Sequence, residues 1–120
     1  MRIAISAQEP CADATVDARF GRARCFMVYD ESSGDWSSLE NATQLDALQG
    51  AGIQAAEMLA NSGIGVVLTG HCGPKAFRVL NAAGIKVCAG ASGTVDEALS
   101  AYRDGKLSPV SGPDVEGHWT

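Results

Sequence analysis

The chain has 120 residues, 46% hydrophobic and 19% charged, which suits one domain with an ordinary apolar core and excludes two full-sized domains or wholesale disorder. A formal net charge of −5 argues against a general binder of nucleic acid or of a membrane surface, since both partners are polyanionic. No apolar stretch is long enough to span a bilayer, and the opening Met1-Arg2-Ile3-Ala4-Ile5 reads as a strand and not as a signal peptide, so a cytoplasmic protein is expected.

Arg2 to Ala7 reads as the first strand, with Ile3 and Ile5 on one face. Gln8 to Gly21 is a long connection holding Pro10, Cys11 and several acidic residues. Arg24 to Asp30 is a second strand, rich in aromatic and branched residues. Ser32-Ser33-Gly34-Asp35 is a turn signal, so Trp36 to Asn41 returns beside it as an edge strand. The period then changes. Leu48, Gly52, Ala55 and Leu59 recur at helical spacing, and Gly63 supplies the stop.

Val66-Val67-Leu68 is wholly apolar, as expected of a strand covered on both faces. Pro74 suits the first turn of a second helix, with Phe77 and Leu80 inward and Gly84 as its stop. Ile85 to Ala89 is the next buried strand. Thr94-Val95-Asp96-Glu97 has capping-box spacing and opens a third helix with Ala98, Leu99 and Tyr102 on one side. Beyond Leu107 the chain is Ser, Pro, Gly and acid, which gives a domain over residues 1–107 and a tail over 108–120. Three strands followed by helix–strand–helix–strand–helix predict an α/β fold with right-handed parallel crossovers. The opening hairpin adds one antiparallel member, for a mixed five-stranded sheet.

Two segments echo each other. Gly63 to Gly73 and Gly84 to Gly93 each run helix stop, buried strand, Gly-x-x-Gly turn and new helix. Parallel strands would put Gly70–Gly73 and Gly90–Gly93 at one carboxyl edge, where open α/β sheets bind ligands and helix N-termini offer free N–H groups. The same glycines would also serve as plain tight turns. Arg19, Arg22 and Arg24, within six residues, come to that edge if the second strand is antiparallel; a compact anion suits them, and so does solvated surface charge. His71 and Cys72 sit inside the first turn and are candidate metal contacts, with Cys11 and His118 behind them. Cys25 and Cys88 fall within strands and are assigned to the core. The four cysteines include no Cys-x-x-Cys pair, so free thiols are expected and a structural zinc is not.

The segments Arg19-Phe20-Gly21-Arg22-Ala23, Gly50-Ala51-Gly52-Ile53-Gln54-Ala55-Ala56, Thr69-Gly70-His71-Cys72-Gly73-Pro74-Lys75-Ala76 and Gly93-Thr94-Val95-Asp96-Glu97-Ala98-Leu99, with Gly105-Lys106-Leu107, together resemble the dinitrogenase iron–molybdenum cofactor-binding family. That family includes nitrogenase cofactor carriers, the C-terminal domain of a cofactor-assembly radical enzyme, and a small stand-alone orange member holding a molybdenum–copper sulfide cluster. The stand-alone member is the most similar in length and plan. The resemblance implies a ribonuclease H-like three-layer fold with strand order 3-2-1-4-5 and helices on both faces. It also implies a non-catalytic carrier of an anionic metal–sulfur cluster, held without covalent protein bonds. The cargo would be the molybdenum–copper sulfide cluster, or alternatively iron–molybdenum cofactor or another iron–sulfur species passed between cluster-assembly proteins. The residues implied in binding are Arg19, Gly21, Arg22, Gly70, His71, Cys72, Gly73, Pro74, Gly90, Ser92, Gly93 and Thr94. A metal-dependent nuclease or phosphotransferase on this fold would need clustered carboxylates. None lies in Arg2–Ala7, Val66–Thr69 or Val87–Ala89, and no catalytic role is expected. A phosphate- or nucleotide-binding regulatory module would use the same loops without His71 or Cys72.

Overall fold

The computed structural model describes residues 1–41 and 51–110. Leu48 and His118 lie outside them. In chain order the elements are β1 (Arg2–Ala7), β2 (Cys25–Asp30), β3 (Asp35–Glu40), α1 (Ala51–Asn61), β4 (Val66–Leu68), α2 (Pro74–Ala82), β5 (Lys86–Cys88) and α3 (Val95–Arg103). They build the expected mixed sheet of order β3-β2-β1-β4-β5. β2 runs antiparallel to both neighbours, while β1, β4 and β5 are parallel.

Side-chain alternation along the strands makes two cores. Ala4, Phe26, Val28, Val67 and Val87 pack with Ala55, Ala56 and Leu59 of α1 and with Phe77 and Leu80 of α2. Ile3, Ile5, Met27, Val66, Leu68 and Cys88 pack on the other face with Val95, Ala98 and Leu99 of α3. Covered on both sides, β4 and β5 have no polar face, which is why their sequences do not alternate. Gly63 and Gly84, at φ of +72° and +79°, end α1 and α2 in the left-handed conformation that resets the chain into the next strand.

Three strands start or stop a residue away from the sequence expectation. β1 ends at Ala7, whose partner is Cys25, so Arg24 has no ladder partner and β2 begins one residue later. β3 likewise runs from Asp35, opposite Asp30, to Glu40, opposite Cys25. β5 pairs only with the three residues of β4, which confines it to Lys86–Cys88. Past α3, Val110 donates its N–H to the Val87 carbonyl at 2.8 Å and packs on the α1–α2 side of the core. Among the described residues no helix is long and apolar enough to cross a membrane.

Candidate functional site

Because β1, β4 and β5 are parallel, the turns that follow them share one edge. The connection after β1 does not loop away from it; it is laid across as a strap. Gln8 N–H donates to Thr15 O at 3.0 Å and Val16 N–H to Gly93 O at 2.9 Å. Val95 and Asp96 donate back to Ala14 O and Ala12 O at 2.8 and 2.9 Å. Farther along, His71 N–H donates to Ala18 O at 2.7 Å and Phe20 N–H to His71 O at 3.2 Å, which sets Arg19 beside His71. The two glycine turns are also tied directly, Gly90 N–H to Gly70 O at 2.9 Å.

Buried polar side chains fix the strap. Ser6 Oγ donates to Asp17 O at 2.7 Å and lies 2.8 Å from Thr69 Oγ1, joining β1, the strap and the end of β4 in one contact. Asp17 Oδ1 accepts the Arg19 N–H at 3.0 Å and lies 3.9 Å from Arg19 Nε. The carboxylate is nearly covered while the Arg19 side chain is 71% exposed, so the pair sets the backbone more than it holds the guanidinium. Asn41 is buried, and its Nδ2 donates to Gly21 O at 3.2 Å and Ala23 O at 2.8 Å, pinning the turn that presents Arg22. Sequence reasoning passed over Ser6, Asp17, Asn41 and Thr69. Ser6 and Thr69 carried a signal, a polar residue within or just after an apolar strand run, whereas Asp17 in the irregular connection and Asn41 after the polar edge strand carried none.

Two glycines are close-approach positions. A Cβ on Gly70 would lie 2.7 Å from Ala18 Cα, and one on Gly21 would lie 2.6 Å from Gly52 N and Cα. Gly21 therefore faces the first turn of α1, which in turn touches Ala76 in the first turn of α2. The Arg19–Arg22 segment thus rides directly over the starts of two helices.

Those starts differ in what they leave open. α2 is capped by Gly73 without a side-chain hydrogen bond, and its first turn carries no acid. The N–H groups of Gly73, Lys75 and Ala76 have no partner among the described residues. α3 has a complete capping box: Glu97 N–H donates to Thr94 Oγ1 at 3.1 Å and Thr94 N–H to Glu97 Oε1 at 2.9 Å. Val95 and Asp96 already serve the strap, and Asp96 and Glu97 place two acids on that turn. Only Ser92 and Gly93, both exposed, keep amides without a partner there among the described residues. An anion is thus favoured at α2 and disfavoured at α3.

His71 and Cys72 point opposite ways. His71 is exposed, whereas Cys72 is 1% exposed within the core cluster of Phe20, Ala76 and Phe77. Cys25 and Cys88 are buried as expected, and burial pushes the Cys88 thiol up to about 11. Among the described residues no three His, Cys, Asp or Glu side chains gather around a point where a metal ion could sit. The donors at this edge are N–H groups and guanidinium, a set that fits an anion held by hydrogen bonds and not a bare cation.

Comparison with known proteins agrees along nearly the whole chain. The apo form of the orange protein from Desulfovibrio gigas superposes with a TM-score of 0.91 and 46% identity, over 95% of this chain and 96% of that one. A putative NifB protein from Thermotoga gives 0.83 and 33% identity, over 97% and 98%. An uncharacterized protein of Methanocaldococcus jannaschii is 28% identical over 109 residues, 89% of each chain. The pattern of the dinitrogenase iron–molybdenum cofactor family matches residues 1–105, and the protein belongs to that family.

Proposed function

We propose that the domain over residues 1–107 is a non-catalytic carrier of an anionic metal–sulfur cluster, its cargo a molybdenum–copper sulfide cluster. The observation that carries this reading is the open, acid-free start of α2, set beneath the arginine-bearing strap. Sulfide ligands are large, soft acceptors, and backbone N–H groups with guanidinium suit them. Gly73 and Ala76 would donate from the backbone, with Arg19, Arg22 and His71 around them and Lys75 adding charge. Gly70 and Gly21 allow the close approaches that set this geometry, and Pro74 starts α2 without an N–H to satisfy. The turn Gly90 to Thr94 forms the second wall, through the Ser92 and Gly93 amides. The 46% identity to the orange protein supports this cargo, and the 33% identity to a putative NifB protein supports an iron–molybdenum cofactor precursor as the alternative. A carrier of either kind hands its cargo to, or takes it from, cluster-assembly proteins.

The test mixes apo-protein with copper and tetrathiomolybdate. A coloured complex should co-elute on a sizing column and raise the unfolding temperature, as any ligand selective for the native state does. Arg19→Ala combined with Arg22→Ala should weaken retention most at low salt, where exposed charges are least screened. Metal that passes through unbound without thermal protection would sink the carrier reading. Loss of colour in Cys72→Ser would overturn the non-covalent pocket.

A further inference from the structure

The two edges of the sheet are finished differently. At β5 the chain covers its own edge, where the Val110 N–H donates to the Val87 carbonyl at 2.8 Å. β3, at the other end, pairs with β2 and with no other strand among the described residues. Which way its backbone groups point follows from the ladders. The Glu31 N–H donates to Met1 O at 3.0 Å, so Cys25, Met27 and Tyr29 turn their backbone groups toward β1, and Phe26, Val28 and Asp30 turn theirs toward β3. The Asn41 N–H, donated to Arg24 O at 3.1 Å, keeps the same phase. Asp35, Ser37 and Leu39 therefore direct their backbone groups to β2, while Trp36, Ser38 and Glu40 direct theirs outward. Those outward groups have no partner among the described residues. The side chains of Trp36, Ser38 and Glu40 lie on the sheet face of their pairs Tyr29, Met27 and Cys25. Trp36 is half-buried, its ring 5.1 Å from that of Tyr29. Ser38 and Glu40 border a cavity of about 230 Å3, together with Pro10, Arg24 and Cys25.

We propose that β3 is a self-association edge, on which two copies of this chain pair their β3 strands antiparallel about a two-fold axis at Ser38. In that register Ser38 faces the partner's Ser38 and Trp36 faces the partner's Glu40, so each outward residue of β3 meets an outward residue. The match is also free of like charge: Asp35 falls opposite the partner's Asn41, and no acid faces an acid. This self-complementarity is what makes a second copy the occupant. Ser38 is small, so the strands can close at the axis. The partner's Trp36 comes beside Glu40 and Ser38, at the border of the cavity, where the Arg24 guanidinium offers its ring a cation. The product is one continuous sheet with both α3 helices on the same face. Antiparallel pairing turns the second copy end for end, so the two anion pockets open at opposite ends. A contact built on one strand edge belongs to the weak class of interfaces, below about 1,200 Å2. The net charge of −5 on each chain opposes it most at low salt.

The test follows the mass of the full chain by sedimentation equilibrium across rising concentration. No metal or thiomolybdate is present, so failure here leaves the carrier reading untouched, and failure there leaves this edge untouched. Mass should rise from one chain toward two and no further, and at lower concentration as salt is added. Ser38→Lys sets like charges face to face across the axis and should weaken association several-fold. Ser38→Pro removes only an outward N–H and leaves the bonds to β2 in place. It should weaken association about tenfold or more, since each copy loses a bond. With oxidant added, Ser38→Cys should give a disulfide-linked pair of chains, because directly paired Cα atoms lie about 5.5 Å apart. Ser37→Cys, on the other face and opposite the partner's Leu39, should not. A single-chain mass at every concentration, growth past two chains, undiminished association in the folded Ser38→Lys variant, or equal cross-linking at both positions would overturn the proposal.

Discussion

The turns Gly70–Gly73 and Gly90–Gly93 share a pattern, a buried strand before them and a helix after, yet they present opposite chemistry. After the first, α2 starts with N–H groups that have no partner among the described residues, and with Lys75. After the second, α3 starts with a capping box, two acids, and amides already given to the strap. A repeated motif thus yields one ligand-ready helix end and one that anchors the structure. The residue three places into the helix decides much of it: Glu97 reaches back to its cap, and Ala76, its counterpart in α2, is buried and has no side-chain acceptor to offer.

The largest expected effect separates the glycines themselves. Gly70→Ala drives a methyl into the Ala18 backbone, 2.7 Å from its Cα and 2.8 Å from its oxygen, and neither can move without lifting the strap. A loss of about 1–3 kcal/mol is expected from the urea midpoint, together with weaker cluster retention as Arg19 shifts. Gly90 sits at φ +84° with nothing within 4 Å of an added Cβ, so Gly90→Ala meets only the left-handed backbone cost. That cost is about 1 kcal/mol, and Gly90→Asn should recover part of it. Equal losses at the two positions would show that the close approach at Gly70 is not what holds the strap.

A smaller effect belongs to the cap. Thr94→Ala removes the oxygen that accepts the Glu97 N–H and should cost about 1 kcal/mol in thermal or urea unfolding. Cluster retention by the folded protein should stay near its original level. Should retention fall in parallel with stability, the second turn holds cargo and is more than a wall.

Element order, the β2–β3 hairpin and the two-sided burial of β4 and β5 were legible because each leaves a local trace in the sequence, while the full strand order came only with the family resemblance. The arginine segment could be brought to the carboxyl edge by topology alone, since an antiparallel β2 must start where β1 ends. What escaped was aperiodic. Nothing in Gln8–Gly21 announces that its backbone pairs with both glycine turns, because an irregular strap has neither the period of a strand nor that of a helix. The opposite exposure of His71 and Cys72 follows from backbone geometry inside one turn, which spacing does not encode. Asn41 read as the end of an edge strand, and only the folded chain shows its amide buried under the Arg22 turn. The two glycine turns looked alike because the motif names the residues that bend the chain, not the groups that fill the helix end.

The finest discrimination comes from Lys75→Glu, which sets stability against binding. Lys75 is exposed on the first turn of α2, where its positive charge adds to the partial positive charge of the helix end. Glutamate there complements the helix end and should stabilise the apo-protein by about 0.3–1 kcal/mol, read as a rise in unfolding temperature. The same change puts negative charge against the proposed anion pocket, so cluster retention should fall, and fall most at low salt. A neutral Lys75→Ala should land between the two. No purely structural role of the helix end moves both readouts in opposite directions, because a loosened helix would lose stability and cargo together. If Lys75→Glu raised the unfolding temperature while retention held at every salt concentration, the start of α2 would be an open helix end without a ligand.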